Sequence, residues 1–220
     1  MTAILILNYN NAEDTINCIK SIERHNTSPV KYVVVDNGSE REGTISAIDK
    51  FLREQFGEDY QKTSIEPIRQ GVLSHATFLL NPKNDGYAVG NNKGAAWIFQ
   101  DPEVTGILLL NNDVLFTGDI IPVLAEDSCK LDRCGIVTPL LYKKDGKRVD
   151  DCCARKFTSN WGIMVPFLLH NRNWRGLISK NSAKQRILRN RPELIRQENP
   201  FPIDYPSGSC LYISKDLFFI

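Results

Sequence analysis

The chain has 220 residues, 42% of them apolar and 24% charged, with 14 Gly and 11 Pro. That balance excludes collagen-like, low-complexity and disordered chains, and the length allows a sizeable packed core. A formal net charge of +1 argues against a nucleic-acid partner, which would call for a basic surplus.

Residues 3–7 (AILIL) form an uninterrupted apolar run, which predicts a strand buried on both faces. Asn11 can cap the helix that follows, where Ala12, Ile16, Ile19 and Ile22 recur at helical spacing behind Glu13 and Asp14. Residues 32–35 read as a second buried strand, closed by Asp36-Asn37-Gly38-Ser39. Ile45, Ile48, Phe51, Leu52 and Phe56 mark a second amphipathic helix. Residues 77–80 predict a third strand, residues 86–99 a third helix, and residues 107–110 a fourth strand ending in Asn111-Asn112-Asp113. Alternation of this kind predicts βαβ units and a parallel sheet covered by helices on both faces.

The second half is less regular. A helix is expected to start over residues 118–124, with strands over 136–142 and 210–213. Between them lies a weakly periodic stretch rich in Arg, Asn and Trp, which reads as a long insertion. Residues 141–198 carry 14 Lys or Arg against 5 Asp or Glu, whereas the rest of the chain carries 13 against 21. Such a basic block is either a solvated surface or a contact for an anionic group. Trp161 and Trp174 within it suit sugar stacking, an interfacial contact or a local core. No run reaches the roughly 18 apolar residues of a membrane span, and the first residues lack the basic lead of a signal peptide. The expectation is a cytoplasmic chain. The six cysteines form no C-x-x-C pair and no zinc spacing, so reduced structural thiols are expected.

In an open parallel sheet, ligands bind beyond the carboxyl ends of the strands. Here the four predicted strands end in Asn8-Tyr9-Asn10, Asp36-Asn37-Gly38-Ser39, Asn81-Pro82-Lys83-Asn84-Asp85 and Asn111-Asn112-Asp113. Each alone could be a turn, since Asn, Asp and Gly are common turn formers. Together they would line one crevice. A tyrosine beside an aspartate suits a nucleobase, and Asp113 suits a divalent metal held by few carboxylates. Gly86, Gly90 and Gly94 fall on one helix face, where bare backbone admits either a ligand or a strand. The chain has neither G-x-G-x-x-G after its first strand nor G-x-x-x-x-G-K-[ST], which excludes dinucleotide and P-loop sites. His25, His75 and His170 stand apart from the strand ends, and no nucleophile elbow is present for Ser-His-Asp hydrolysis.

Four ordered segments carry a resemblance: Ile4-Leu5-Ile6-Leu7-Asn8-Tyr9-Asn10, Val33-Val34-Val35-Asp36-Asn37-Gly38-Ser39, the stretch from Asn84-Asp85-Gly86-Tyr87 to Gly94, and Leu108-Leu109-Leu110-Asn111-Asn112-Asp113. They resemble the family 2 glycosyltransferases, most nearly the bacterial rhamnosyltransferase-like branch. Pro206-Ser207-Gly208-Ser209-Cys210-Leu211-Tyr212-Ile213 resembles the family's later turn and strand beside the acceptor site.

The resemblance implies a GT-A fold: α/β, with a Rossmann-like, mostly parallel sheet and helices on both faces. Residues 1–115 would bind the donor, and residues 116–220, with the basic insert 141–198, would form the acceptor side. The implied activity is inverting transfer of a sugar, possible rhamnose included, from a dTDP- or UDP-sugar to a saccharide or lipid-linked acceptor. By position, Tyr9 and Asp36 would hold the nucleobase, while Asn84, Gly86 and Asn92 would lie against the nucleotide or diphosphate. Asn112 and Asp113 would occupy the D-x-D-type motif, with Asp113 binding Mg²⁺ or Mn²⁺; here amides at 111 and 112 depart from a double-acid pattern. The family's base is an acid some tens of residues past the 209–213 strand, so it is expected beyond Ile220. A truncated acceptor side that binds donor without efficient transfer is therefore the expectation.

Two other readings compete. One is a non-catalytic nucleotide-sugar-binding protein that lacks the base. The other is a sugar nucleotidyltransferase, which normally opens with a glycine-rich phosphate loop; Asn8-Tyr9-Asn10-Asn11 offers none. For the basic insert, a phosphate-linked acceptor at the inner face of a membrane would suit its charge.

Overall fold

A computed structural model of the chain describes residues 1–131, 134–150, 153–156, 187–196 and 199–219. Contacts divide it into two compact units, Met1–Val137 with Gly208–Ile220, and Thr138–Ser207. The 115/116 boundary drawn from the sequence falls inside the first of these.

Five parallel strands build the first unit: β1 (Thr2–Asn8), β2 (Val30–Asn37), β3 (Tyr60–Ser64), β4 (Ala76–Asn81) and β5 (Gly106–Asn111). In the second unit β6 (Ala154–Arg155) and β7 (Tyr205–Pro206) make a short ladder. The chain then returns to the first unit as β8 (Cys210–Ser214), antiparallel to β5. The spatial order is β3-β4-β2-β1-β5-β8. Parallel neighbours need crossovers, which are supplied chiefly by α1 (Ala12–His25), α2 (Thr44–Phe56) and α3 (Tyr87–Ile98), while α4 (Ile121–Lys130) precedes the second unit.

The apolar strands explain why the sheet sits in the middle. Successive side chains point to opposite faces. Ala3, Leu5, Val33, Val35, Leu79 and Ile107 form one buried cluster with Ala95 and Ile98 of α3. On the other face, Tyr32 donates its hydroxyl to Glu23 of α1 at 2.7 Å and packs its ring on Phe56 of α2. Helices therefore cover both faces, as the sequence predicts. Each large apolar side chain buried this way contributes about 1.5–3 kcal/mol. The Asn11 cap also forms, its side chain accepting the Asp14 N–H at 3.3 Å.

The glycine face of α3 resolves into two uses. A Cβ on Gly94 would stand 2.5 Å from Leu5 Cδ1 and 2.8 Å from Val35 Cγ2, and one on Gly90 would stand 2.7 Å from Leu7 Cδ1. These two glycines let the helix lie close on the sheet, so they serve packing and not a ligand. Gly86 precedes the helix with φ +83° and open space around it.

Three sequence expectations are corrected. β3 was not expected, because its sequence YQKTS is polar and lies at the sheet edge, where only pairing with β4 defines it. The helix expected from residue 118 begins at Ile121, with Pro122 in its first turn. Residues 136–142 form no strand; the described residues there make only isolated bridges, Val137 with Tyr212 and Tyr142 with Val149. The second unit has its own small core of Cys153, Ala154, Ile187, Leu188 and Leu194. Trp161, Trp174, Arg172, Arg175 and Arg186 of the basic insert lie outside the described residues. Among the described residues Cys18, Cys129, Cys134, Cys153 and Cys210 form no disulfide. Among the described residues no helix is long and apolar enough to cross a membrane.

At the amino edge of the sheet lies a buried ion pair. Lys31 Nζ donates to Asp101 Oδ2 at 2.7 Å and to Glu103 Oε2 at 2.8 Å. Asp101 is 0% exposed and also accepts the N–H groups of Leu73 and Glu103. Burial pushes the Asp101 carboxyl up, but hydrogen bonds from Lys31 and these two amides outweigh it and hold it below the usual range. Burial likewise pulls the Lys31 ammonium down, and its two carboxylate partners raise it overall. The Asp101 contribution is thus present above about pH 4 and lost as pH falls through the depressed value; the Lys31 contribution is present below about pH 10 and lost above it. Lys31→Met strands a buried carboxylate and is expected to cost about 3–5 kcal/mol, lowering Tm by roughly 6–20 °C. Lys31→Met combined with Asp101→Leu should recover much of that loss in calorimetry, since the stranded charge is then gone.

Candidate functional site

A cleft of about 340 Å³ opens at the carboxyl edge of the parallel strands, lined by Leu7, Tyr9, Asn37, Asn84, Gly86, Tyr87, Asn111 and Asn112. Leu7, Asn37 and Asn111 are the last or next-to-last residues of β1, β2 and β5. β2 and β5 deliver their final side chains to the rim, and β1 its next-to-last.

The turn after β2 holds the two walls together. Gly38 has φ +72°, and a Cβ there would overlap the backbone of Lys83 and Asn84. The turn therefore lies backbone to backbone against the loop after β4. Asn37, 2% exposed, donates to Asn84 Oδ1 at 3.0 Å and to the Gly86 carbonyl at 3.2 Å, while its own oxygen accepts from Asn81 Nδ2 at 2.8 Å. Behind it Lys93 Nζ donates to Asp85 Oδ2 at 2.8 Å. That ammonium, aided by the Asn81 amide, holds the Asp85 carboxyl down at about 2. On the far side, Tyr87 donates its hydroxyl to the Gly208 carbonyl at 2.7 Å.

The other wall is the β1 loop. Asn8, 0% exposed, donates to Asp36 Oδ1 at 2.7 Å and to Ser39 Oγ at 3.2 Å, and accepts from Thr15 Oγ1 at 3.0 Å. Tyr9 next to it is 42% exposed. Asn112 donates to Thr15 Oγ1 at 3.1 Å, which draws its amide toward the start of α1.

Of the residues assigned from the sequence, Tyr9, Asn84, Gly86 and Asn112 meet in this cleft. Asp36 is not among the lining residues. It is 1% exposed, and its carboxylate accepts from Asn8, from Ser39 Oγ at 2.6 Å and from Ser39 N–H at 2.9 Å, so its charge is spent on the turn. Asn92 is exposed on α3 and does not line the cleft, whereas Asn91 beside it is buried and bonds the Tyr87 carbonyl. Asp113 is exposed, one residue beyond the lining. The sequence places Asn37 and Asn111 in strand-end clusters that would line a crevice but assigns neither them nor Tyr87 an individual ligand. Their signal was position: Asn37 and Asn111 directly end apolar strands, and Tyr87 opens the glycine-bearing helix. Asn111 Oδ1 is buried and has no hydrogen-bond partner among the described residues.

The model of glycosyl transferase family 2 matches residues 3–194. The chain belongs to this family. Its α/β sheet, Rossmann-like and parallel but for β8, is that of a GT-A fold. Among solved structures, this family 2 chain is similar to a mannosyltransferase from Pyrobaculum calidifontis in complex with GDP-Man and Mn2+, with 17% identity, a TM-score of 0.45, and coverage of 62% of this chain and 34% of that one. It is also similar to S. aureus TarS 1-349, at 14% identity and a TM-score of 0.48, covering 73% of this chain and 43% of that one. Mouse xyloside xylosyltransferase 1 in its apo form matches at 11% identity and a TM-score of 0.42, covering 99% and 68%. The chain thus spans about a third of the length of the first and about two fifths of the second. No curated protein matches it.

The backbone contact at Gly38 gives a clean comparison. Gly43 also has positive φ, +79°, in the left-handed region, but nothing lies within 4 Å of its would-be Cβ. Gly43→Ala is expected to cost only the left-handed backbone penalty, about 1–2 kcal/mol. Gly38→Ala adds an overlap that displaces a loop, for a total of about 2–5 kcal/mol by urea unfolding. Equal losses in the two variants would show that the contact between the turn and the Lys83 loop carries no energy.

Proposed function

We propose that the cleft binds the nucleoside diphosphate part of a nucleotide-sugar and that the protein serves glycosyl transfer to a hydroxyl acceptor. The observation that carries this is the position of the cleft: it lies at the carboxyl ends of β1, β2 and β5 in a family 2 chain, walled by two tyrosines and four amides. The half-exposed Tyr9 ring offers a face for a nucleobase. The first turn of α3, at Gly86 and Tyr87, presents a helix N-terminus that favours an anion such as the diphosphate.

Among the described residues no Lys or Arg lines the cleft, so a diphosphate there calls for another source of positive charge. Mg²⁺ or Mn²⁺ fits the donor set. Asp113 is an exposed carboxylate without a hydrogen-bond partner among the described residues, and Asn111 adds an unpartnered oxygen to the same strand end. Both are hard oxygen donors. Among the described residues no three His, Cys, Asp or Glu side chains converge to hold a metal alone, so the ion would be shared with the phosphate oxygens, as Mg²⁺ commonly is. When bound, such an ion offsets charge on the leaving diphosphate.

Finer features follow the motif resemblance. It favours a dTDP- or UDP-linked donor, with rhamnose as the sugar, and a saccharide or lipid-linked acceptor. The basic block 141–198 suits an acceptor phosphate at the inner membrane face, reached from the cytoplasm.

Calorimetry with dTDP-, UDP- and GDP-sugars, with and without Mn²⁺, tests this reading. One nucleotide class should bind, more tightly with the metal. Tyr9→Ala should weaken it roughly tenfold through lost stacking, and Asp113→Ala should abolish the gain from Mn²⁺. Failure to bind any of the three nucleotides would sink the proposal. Binding with no sugar released to water or acceptor would leave a nucleotide-sugar-binding protein without transfer.

A further inference from the structure

Asn10 has φ 57° and is the one non-glycine residue with positive φ among those described. Asparagine tolerates this left-handed conformation better than most residues, but an outlier beside a binding cleft needs a cause. Its side chain supplies one. Asn10 Oδ1 accepts the N–H groups of Glu40 and Arg41, each at 2.8 Å, and the Asn10 N–H donates to Ser39 Oγ at 2.8 Å. One residue earlier but one, Asn8 is tied to the same turn through Asp36 and Ser39. Tyr9 is therefore clamped on both sides to residues 36–41, while its own ring stays 42% exposed on the cleft wall. The turn is itself fixed against the opposite wall, because Gly38 abuts Lys83 and Asn37 holds Asn84.

We infer that Asn10 is a positioning residue: it fixes the Tyr9 ring, at a set distance from the Asn84–Tyr87 wall, as a preformed platform for the base of a nucleotide. The inference rests on the nucleotide reading above and adds to it the residue that sets the platform. Asn10 does not line the cleft and need not touch the ligand. Its action is to remove the freedom that a loop would otherwise lose on binding, which is how preorganisation raises affinity.

The test separates the base from the phosphates. Binding of UDP, dTDP and GDP is compared with that of inorganic pyrophosphate, all with Mn²⁺, for wild type and for Asn10→Ala, Asn10→Gly and Asn10→Asp. Asn10→Ala and Asn10→Gly should weaken the nucleoside diphosphate that binds by about 3–10-fold and leave pyrophosphate within about twofold. Asn10→Asp keeps an oxygen for both N–H groups and tolerates the same backbone, so it should stay within about twofold of wild type. Equal weakening of nucleotide and pyrophosphate, or full affinity in Asn10→Gly, would overturn the assignment. Amide hydrogen exchange supplies a readout that needs no ligand: the Glu40 and Arg41 N–H groups should exchange faster in Asn10→Ala, while the amides of the central strands β1 and β2 stay protected. If wild type binds no nucleotide, the nucleotide reading fails by itself. Unchanged exchange at Glu40 and Arg41 would remove the clamp whatever binds.

Discussion

A parallel sheet ends on one side in strands that must all turn away at once, and the polar backbone exposed by those turns has to be satisfied. In this chain buried asparagine amides meet that demand. Asn8, Asn37 and Asn81 end β1, β2 and β4 and are at most 3% exposed. An amide carries donors and an acceptor on one short stem, so each can bond to two neighbouring segments in opposite senses. Asn37 does so with Asn81 on one side and with Asn84 and Gly86 on the other. An apolar residue of similar size would leave those turn groups without partners at a cost of about 1–3 kcal/mol each. The rim of the cleft is thus a network before it is a binding surface.

That network decides which groups remain free for a ligand. Asp36 and Asn8 are used up among themselves, although the former is the residue whose charge invites assignment to a nucleobase. What the network leaves uncommitted is the Tyr9 ring and the Asn111 amide oxygen, with the exposed Asp113 carboxylate just beyond. Close packing beneath makes this possible. Gly90 and Gly94 allow α3 to settle onto Leu5, Leu7 and Val35, and that brings the helix start level with the rim. The same glycines with side chains would lift Tyr87 away from its bond to the Gly208 carbonyl.

The parallel core was legible because its strands are apolar on both faces and its helices amphipathic, so periodicity alone separates them. β3 was not, since a polar edge strand has no burial pattern and exists through pairing. The cleft was half legible. Position at strand ends pointed to Tyr9, Asn84 and Asn112, and the start of the glycine-bearing helix to Gly86, because both are one-dimensional features. Asp36 shows where this stops: whether a carboxylate faces ligand or turn depends on Ser39 and Asn8 being close in space. Asn92 shows the same for helices, where one step of about 100° exchanges the exposed Asn92 for the buried Asn91. Motif order carried the family; side-chain direction did not follow from it.

The two edges of the sheet solve opposite electrostatic problems. The amino edge buries Lys31 with Asp101, full charges whose desolvation is offset only while both partners and the Leu73 and Glu103 amides are in place. Among the described residues the carboxyl edge keeps its cleft lining uncharged and sets the ion pairs of Asp85 with Lys83 and Lys93, and of Lys93 with Glu66, outside that lining. A fixed cation in the lining would have to surrender its hydration each time a ligand entered, a cost that neutral amides largely avoid. The buried charge of the carboxyl edge, Asp36, is met by the Asn8 amide and by the Ser39 hydroxyl and N–H, whereas that of the amino edge is met by a cation.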